Sequence, residues 1–446
     1  MYMRNLYWWN SFLVPKLRRI IEFLTSQGIA MAGNLFYGFL CVRLLPISDY
    51  AKFAVVFGSL GTLTLLMDIS FSGTLVPLIG ERIDDLQLIA DYVASLRQLA
   101  HWLYMAMAPA AIIVYPLLVR KQLWSWHVVC AMVAILLVAS WCARIGGTYG
   151  SVLIVRRDRR AWYRAQMVSS LGTLTLLGIV WAAHALNAFS AILINVAGIV
   201  YVAIAYFFRA RNLLGTKGRP SGEKRKAIVH LALPSMPNAI FYAFQGQIAL
   251  LVITLFGHSA AVASVGALNR LARVFVLFAQ MNPILIEPYF AKLQRERLKR
   301  NYLGVLGVEV TFCVFVVALA GLYPGIFLWV LGPNYSSLHC EVFLVILASS
   351  IGHLCEVLWI IHNARRFVYW WNGVLIISLT LAVQVLFIWK LDLSTVRGVL
   401  YLNLATAVVT LPVIIFTGIY GFMRGPRMTA KSPSAINSGE VYEQAL

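Results

Sequence analysis

The chain has 446 residues, of which 61% are hydrophobic and only 12% charged, with a formal net charge of +20. A soluble domain carries roughly twice that charged fraction, so a water-exposed globular protein is excluded. The basic residues lie in short loops between apolar runs of about 18 or more residues, which is the pattern of a multi-span membrane protein, and no basic domain exists to grip nucleic acid.

In chain order, Met1–Ile20 mixes aromatics with Lys16, Arg18 and Arg19 and reads as an interfacial anchor with no cleavable signal peptide. Apolar spans follow at 22–44, 50–79, 99–119, 127–154, 165–184, 189–208, 231–256, 260–290, 302–328, 341–361, 372–391 and 399–422. The fold class is therefore all-α and polytopic with about twelve transmembrane helices, since hydrocarbon leaves open backbone groups without partners. The first six spans form an N-lobe (1–208) and the last six a C-lobe (231–422). Between them, 209–230 is basic, contains Gly215, Gly218, Pro220 and Gly222, and reads as a flexible cytoplasmic linker. The Ser/Pro/Gly-rich tail, 423–446, reads as disordered and cytoplasmic.

Alternate loops carry 28 basic residues on the side of the termini and six on the other, which puts both termini in the cytoplasm and requires an even number of crossings. Loops on the opposite side are short, the longest running from about Trp329 to Cys340, so a glycan polymerase or ligase working in a large outer loop is disfavoured. A shift of 211 residues carries Pro77 onto Pro288, Gln27 onto Asn238 and Asn34 onto Gln245, which suggests two six-helix bundles related by a pseudo-two-fold axis along the membrane normal. The cysteines Cys41, Cys130, Cys142, Cys313, Cys340 and Cys355 show no metal-binding spacing and read as small apolar residues. Gly218–Lys224 lacks phosphate-loop spacing, and no hydrolase, zinc or ATP-binding signature is present, so no catalytic residue, metal or cofactor is expected.

The ionisable residues inside spans are the functional candidates. Arg270 and Arg273, three apart and so on one face, sit about 15 and 20 Å into the eighth span. An arginine at mid-bilayer costs about 2.5–3.5 kcal/mol, so the pair must face protein or water. Small residues on the same face, Ala263, Gly266 and Ala267, leave room beside the helix. Guanidiniums in a polar cavity suit a phosphate; the other reading pairs them with a carboxylate such as Glu287. Arg144 in the fourth span either joins that cavity or snorkels to the surface. Asp68, Glu287, Glu309 and Glu356, with His353 one turn before Glu356, are candidates for a coupling proton or sodium ion, His353–Glu356 being the better relay. Asp68 and Glu287 stand near helix ends, where a capping role also suits them. Asn238, Tyr242 and Gln245 form a polar stripe, mirrored by Gln27 and Asn34, that suits helix packing or a sugar path. Pro234 and Pro237 predict a break at the start of the seventh span.

Three segments carry a family resemblance. Gly33–Asn34 through Arg43–Pro46 to LLMDISFSGTLVPLIGER has Asp68 where the family has its common acid. LPSMPNAIFYAFQGQIALLVI and VASVGALNRLARVF put Arg270 in a small-residue-then-Arg segment, and FLWVLGPNYSSLHCEVFLVILASS is an outer turn with Gly332 and Tyr335. In these the chain resembles the polysaccharide transporter family, the O-antigen and capsule flippases of the multidrug/oligosaccharidyl-lipid/polysaccharide (MOP) exporter superfamily. The resemblance implies two lobes around a partly cationic cavity that opens alternately to each side of a bacterial inner membrane. It implies an undecaprenyl-diphosphate oligosaccharide as cargo and polysaccharide polymerase machinery as a partner. A cation-coupled drug exporter of the same superfamily is the competing expectation, and the arginines on the eighth span argue against it. A peptidoglycan-precursor flippase is a third, though its best-known superfamily members carry two extra helices.

Overall fold

A computed structural model describes residues 14–79, 82, 84–279, 282–367 and 369–424, with side chains of the first helix described from Gly28 onward. The tail from Gly425 and the Gln27 side chain lie outside the described residues. All described elements are helical. The first half comprises α1 (Val14–Leu44), α2 (Ile47–Asp68), the short α3 (Leu75–Ile79), α4 (Leu86–Leu118), α5 (Trp126–Val155), α6 (Arg159–Ala182) and α7 (Ala188–Leu214). Then come α8 (Gly222–Ala232), α9 (Met236–Gln245), α10 (Ile248–Phe256), α11 (Ser259–Ala279), α12 (Asn282–Lys292) and α13 (Arg295–Leu322). The chain continues with α14 (Pro324–Leu331), α15 (His339–Ala364), α16 (Trp370–Lys390) and α17 (Val396–Arg424).

Ten described helices are long and apolar enough to cross a membrane, or eleven if α8 and α9, bent by 62°, make one span. Helix α1 occupies the position of the first expected span. The aromatic ends of α16 match a bilayer: Trp370 and Trp389 are both exposed, roughly 28 Å apart at 1.5 Å per residue.

Several expected spans are broken, each for a local reason. The span 50–79 stops at Asp68 because Ile69 and Ser70 take left-handed backbone, with φ of 37° and 66°. Asp68 then accepts the Ser72 N–H at 3.0 Å and the Ser72 hydroxyl, capping the turn before α3. The span 260–290 likewise divides into α11 and α12, and 231–256 divides at the bend beside Pro234 and again at Gly246–Gln247. The division after α2 recurs after α11, as the internal repeat requires, whereas α1 runs unbroken where its counterpart divides into α8, α9 and α10. A shift of 211 residues carries 47–68 onto 258–279, where Ser259–Ala279 is found, and 159–182 onto 370–393, where Trp370–Lys390 is found.

The segment expected to be a flexible linker is instead clamped. Lys224 Nζ bonds Asp91 at 2.6 Å, Arg225 donates to Gln98 Oε1 at 2.7 Å, and the Arg219 and Ser221 N–H groups donate to Asp91 and Ser95. These acceptors recur at helical spacing on α4, so α8 docks along it, and Ile228 and Ala232 enter the apolar core of the first half.

Burial falls into three clusters. One, remote from the basic loops, joins both halves through α1, α2, α5, α7, α10, α11, α15 and α17. The other two sit nearer the basic loops: one belongs to the first half with α8, the other to the second half alone. The halves are fused at the distal end and separate at the basic end.

Candidate functional site

The distal seal is polar as well as apolar. Gln122, in the turn after α4, donates to the carbonyls of Thr254 and Gly257 at 3.0 and 2.9 Å, and Ser259 donates back to its side chain at 3.0 Å. Gly332 lies against Arg43, with φ of 98° that an L side chain rarely adopts. Tyr335 meets Tyr50 edge-on.

Beneath this seal α11 lies along α2 and α1. The small face of α11 sets that approach. Ala263 and Ala267 are fully buried, and a Cβ on Gly266 would stand 2.7 Å from that of Ala54. The room that small residues were expected to leave is therefore filled by α2; glycine and alanine here bring helices together.

Arg270 and Arg273 project from α11 into this seam. Arg270 is only 5% exposed. Its guanidinium lies 4.2 Å from the Phe57 ring centre and 5.4 Å from that of Phe53, and its Nε donates to the Tyr50 hydroxyl at 3.4 Å. On its other side it touches Gly38 of α1, where an added Cβ would meet Nη1 at 3.0 Å. Arg273 stacks on the same Phe57 at 4.9 Å. No carboxylate among the described residues forms an ion pair with either arginine, Glu287 included. Two cations thus share one aromatic ring, with most of their N–H donors unspent. The ring faces offset part of the burial penalty, and an anion would offset far more.

Other candidates sit elsewhere. Arg144 stacks on Trp141 at 4.0 Å and reaches the Arg97 carbonyl at 3.4 Å, so it faces α4 and not the seam. The stripe on α9 divides: Gln245 accepts from Gln384 of α16 at 2.6 Å, Asn238 lies against Gly373 of the same helix, and Tyr242 is half-exposed. Asn34 lines a separate cavity in the first half. Asp68 is a turn cap, as its place near a helix end suggests. His353 pairs with Glu309 of α13 at 3.1 Å and not with Glu356, whose side chain turns to an exposed face of α15. The buried imidazole also meets Phe275 of α11 at 6.0 Å. Sequence reading missed the aromatic partners Tyr50, Phe53 and Phe57, although their spacing of three and four marks one face of α2.

No family model and no curated protein matches the sequence. Solved structures do. The inward-facing conformation of a multidrug resistance MATE family transporter of the MOP superfamily superposes with a TM-score of 0.65 at 16% identity, covering 89% of this chain and 94% of that one. Lipid II flippase MurJ, in an inward closed conformation, gives 0.65 at 12% identity, covering 90% and 89%. A MOP superfamily transporter from Pyrococcus furiosus, noted for a binding pocket of reverse polarity, gives 0.55 at 16% identity, covering 91% and 94%. At such identities the likeness is one of architecture, and the chain has the fold that MATE transporters and MurJ share.

Proposed function

We propose that this chain is an alternating-access flippase that moves an undecaprenyl-diphosphate-linked oligosaccharide, an O-antigen, capsule or exopolysaccharide repeat unit, from the cytoplasmic to the outer leaflet of a bacterial inner membrane. The observation that carries the reading is the pair Arg270–Arg273 at the seam between halves, Arg270 buried and Arg273 partly so, with no ion-paired carboxylate among the described residues. A sugar–diphosphate cannot enter hydrocarbon unaided, whereas its prenyl tail can stay there. Two guanidiniums between moving bundles lower the barrier for the anion, and no covalent step or cofactor is needed. The basic end, where the halves separate, faces the cytoplasm in this reading, with both termini. The Glu309–His353 pair, joined to α11 through Phe275, is the proposed site for a coupling proton or sodium ion. Polysaccharide polymerase machinery would take the cargo on the far side.

The competing reading is a cation-coupled multidrug exporter, favoured by the likeness to MATE transporters. Against it, three of the carboxylates that could hold a cationic drug are engaged, Asp68 by Ser72, Glu309 by His353 and Glu341 by Arg397, and none stands beside the paired arginines. The test is Arg270→Ala and Arg273→Ala in the native host. Surface polysaccharide should fall at least tenfold while membrane levels of the protein hold. Normal glycan in both variants, or resistance to cationic drugs on expression, would reject the flippase.

A further inference from the structure

The first half carries a half-open cavity of about 530 Å³ lined by α1, α3 with the turn before it, α5, α6 and α7, distinct from the arginine seam. That volume lies within the roughly 300–1,000 Å³ of small-ligand sites. Its chemistry is uniform: none of its lining residues is charged. Asn34 and Asn195 present carboxamides that make no side-chain hydrogen bond among the described residues. Gln166 donates to the Tyr206 hydroxyl at 3.1 Å, which leaves its carbonyl free. Ser169 and Thr173 donate to backbone carbonyls, so their oxygens remain open as acceptors. Trp162 and Tyr206 close one end with rings inclined by only 14°. Along α6 the lining runs from Trp162 to Thr173, roughly 16 Å at 1.5 Å per residue.

We infer that this cavity is a saccharide subsite, taking uncharged, hydroxyl-rich rings of the cargo; the inference rests on the flippase reading and deepens it. Carboxamides offer donor and acceptor together, the pattern vicinal hydroxyls match, and flat aromatic faces receive the C–H face of a pyranose. A cationic ligand would find no carboxylate in the lining: Asp68 reaches the cavity only through Ser72, whose N–H and hydroxyl it accepts. An anionic ligand would find no cation. The two sites are neighbours nonetheless. Asn34 is one helical turn from Gly38, where Arg270 rests, a rise of about 6 Å. A diphosphate at the arginines would therefore leave its first sugars at the mouth of the cavity.

The experiment is saturation-transfer NMR on the full-length protein in nanodiscs, with maltotriose, chitotriose and a galacturonate trimer as soluble probes. At least one uncharged trimer should bind saturably, and more tightly than the acidic one. Asn195→Ala should weaken it at least tenfold, and Gly147→Leu should abolish it. A Cβ on Gly147 makes only ordinary contact with Ser72 at 3.8 Å, so Gly147→Ala serves as the folding control. Arg270→Gln should leave soluble-glycan binding unchanged while stopping movement of a fluorescent prenyl-diphosphate sugar. Binding of neither neutral trimer, unchanged binding in both cavity variants, or saturable binding of the cation ethidium that Gly147→Leu abolishes would overturn the subsite. If prenyl-diphosphate movement persisted alongside any of those results, the flippase reading would survive without it.

Discussion

Phe57 holds the two arginines together, and that arrangement has an energetic signature. Each ring–guanidinium contact contributes about 0.5–2 kcal/mol, more when desolvated, and one ring serves both cations. Phe57→Leu keeps apolar bulk but removes the ring face, so it should lower thermal stability in detergent. The same change in an Arg270→Met/Arg273→Met background should have no such effect, because the coupling has gone. Equal losses in both backgrounds would show that Phe57 is merely core. The arginines themselves were legible in sequence, because a charge at mid-span is costly enough to demand an explanation. Their partners were not: Tyr50 and Arg270 are 220 residues apart, and only folding brings them to 3.4 Å. The reading of His353 went wrong for the converse reason. Glu356 is its neighbour along one helix, yet Glu309 on the facing helix takes its ring nitrogen.

At the scale of elements, helix interruption and docking matter most. Apolar runs located the helices well, since hydrocarbon-length segments leave few choices, but hydropathy is blind to backbone breaks such as Ile69–Ser70. The linker shows the limit of composition. Glycine and proline between basic residues read as flexible, yet Asp91, Ser95 and Gln98 on α4 supply acceptors in register for 219–225. If the halves move as the proposed function requires, the hinge falls at the 62° bend between α8 and α9, beside Pro234, and not in 209–221. Asp91→Ala removes the acceptor shared by Lys224 and Arg219. Limited proteolysis within 215–221 should then speed up at least several-fold; an unchanged rate would mean that apolar contacts of α8 alone hold it.

Over the whole molecule, the two halves share their apolar core at one end only and part toward the basic loops. The repeat at 211 residues, weak as three coincidences in sequence, becomes plain once helix ends can be compared, because helix boundaries follow the repeat where side chains do not. Alternating access, as proposed, requires the distal seal to part. Gln122→Cys and Ser259→Cys joined by a short bis-maleimide should stop transport, whereas either cysteine alone should not. Full transport by the joined pair would contradict the rocking of halves.

In the proposed function, the paired guanidiniums at the seam take the anion of a lipid-linked glycan. The most direct test of that role is movement of a fluorescent prenyl-diphosphate sugar across proteoliposomes by the purified protein. Arg270→Gln/Arg273→Gln should lose at least tenfold in rate, and Arg270→Lys/Arg273→Lys should keep part of it, since charge persists without the bidentate fork. Wild-type rates from the doubly neutral protein would show that the arginines do not carry the anion.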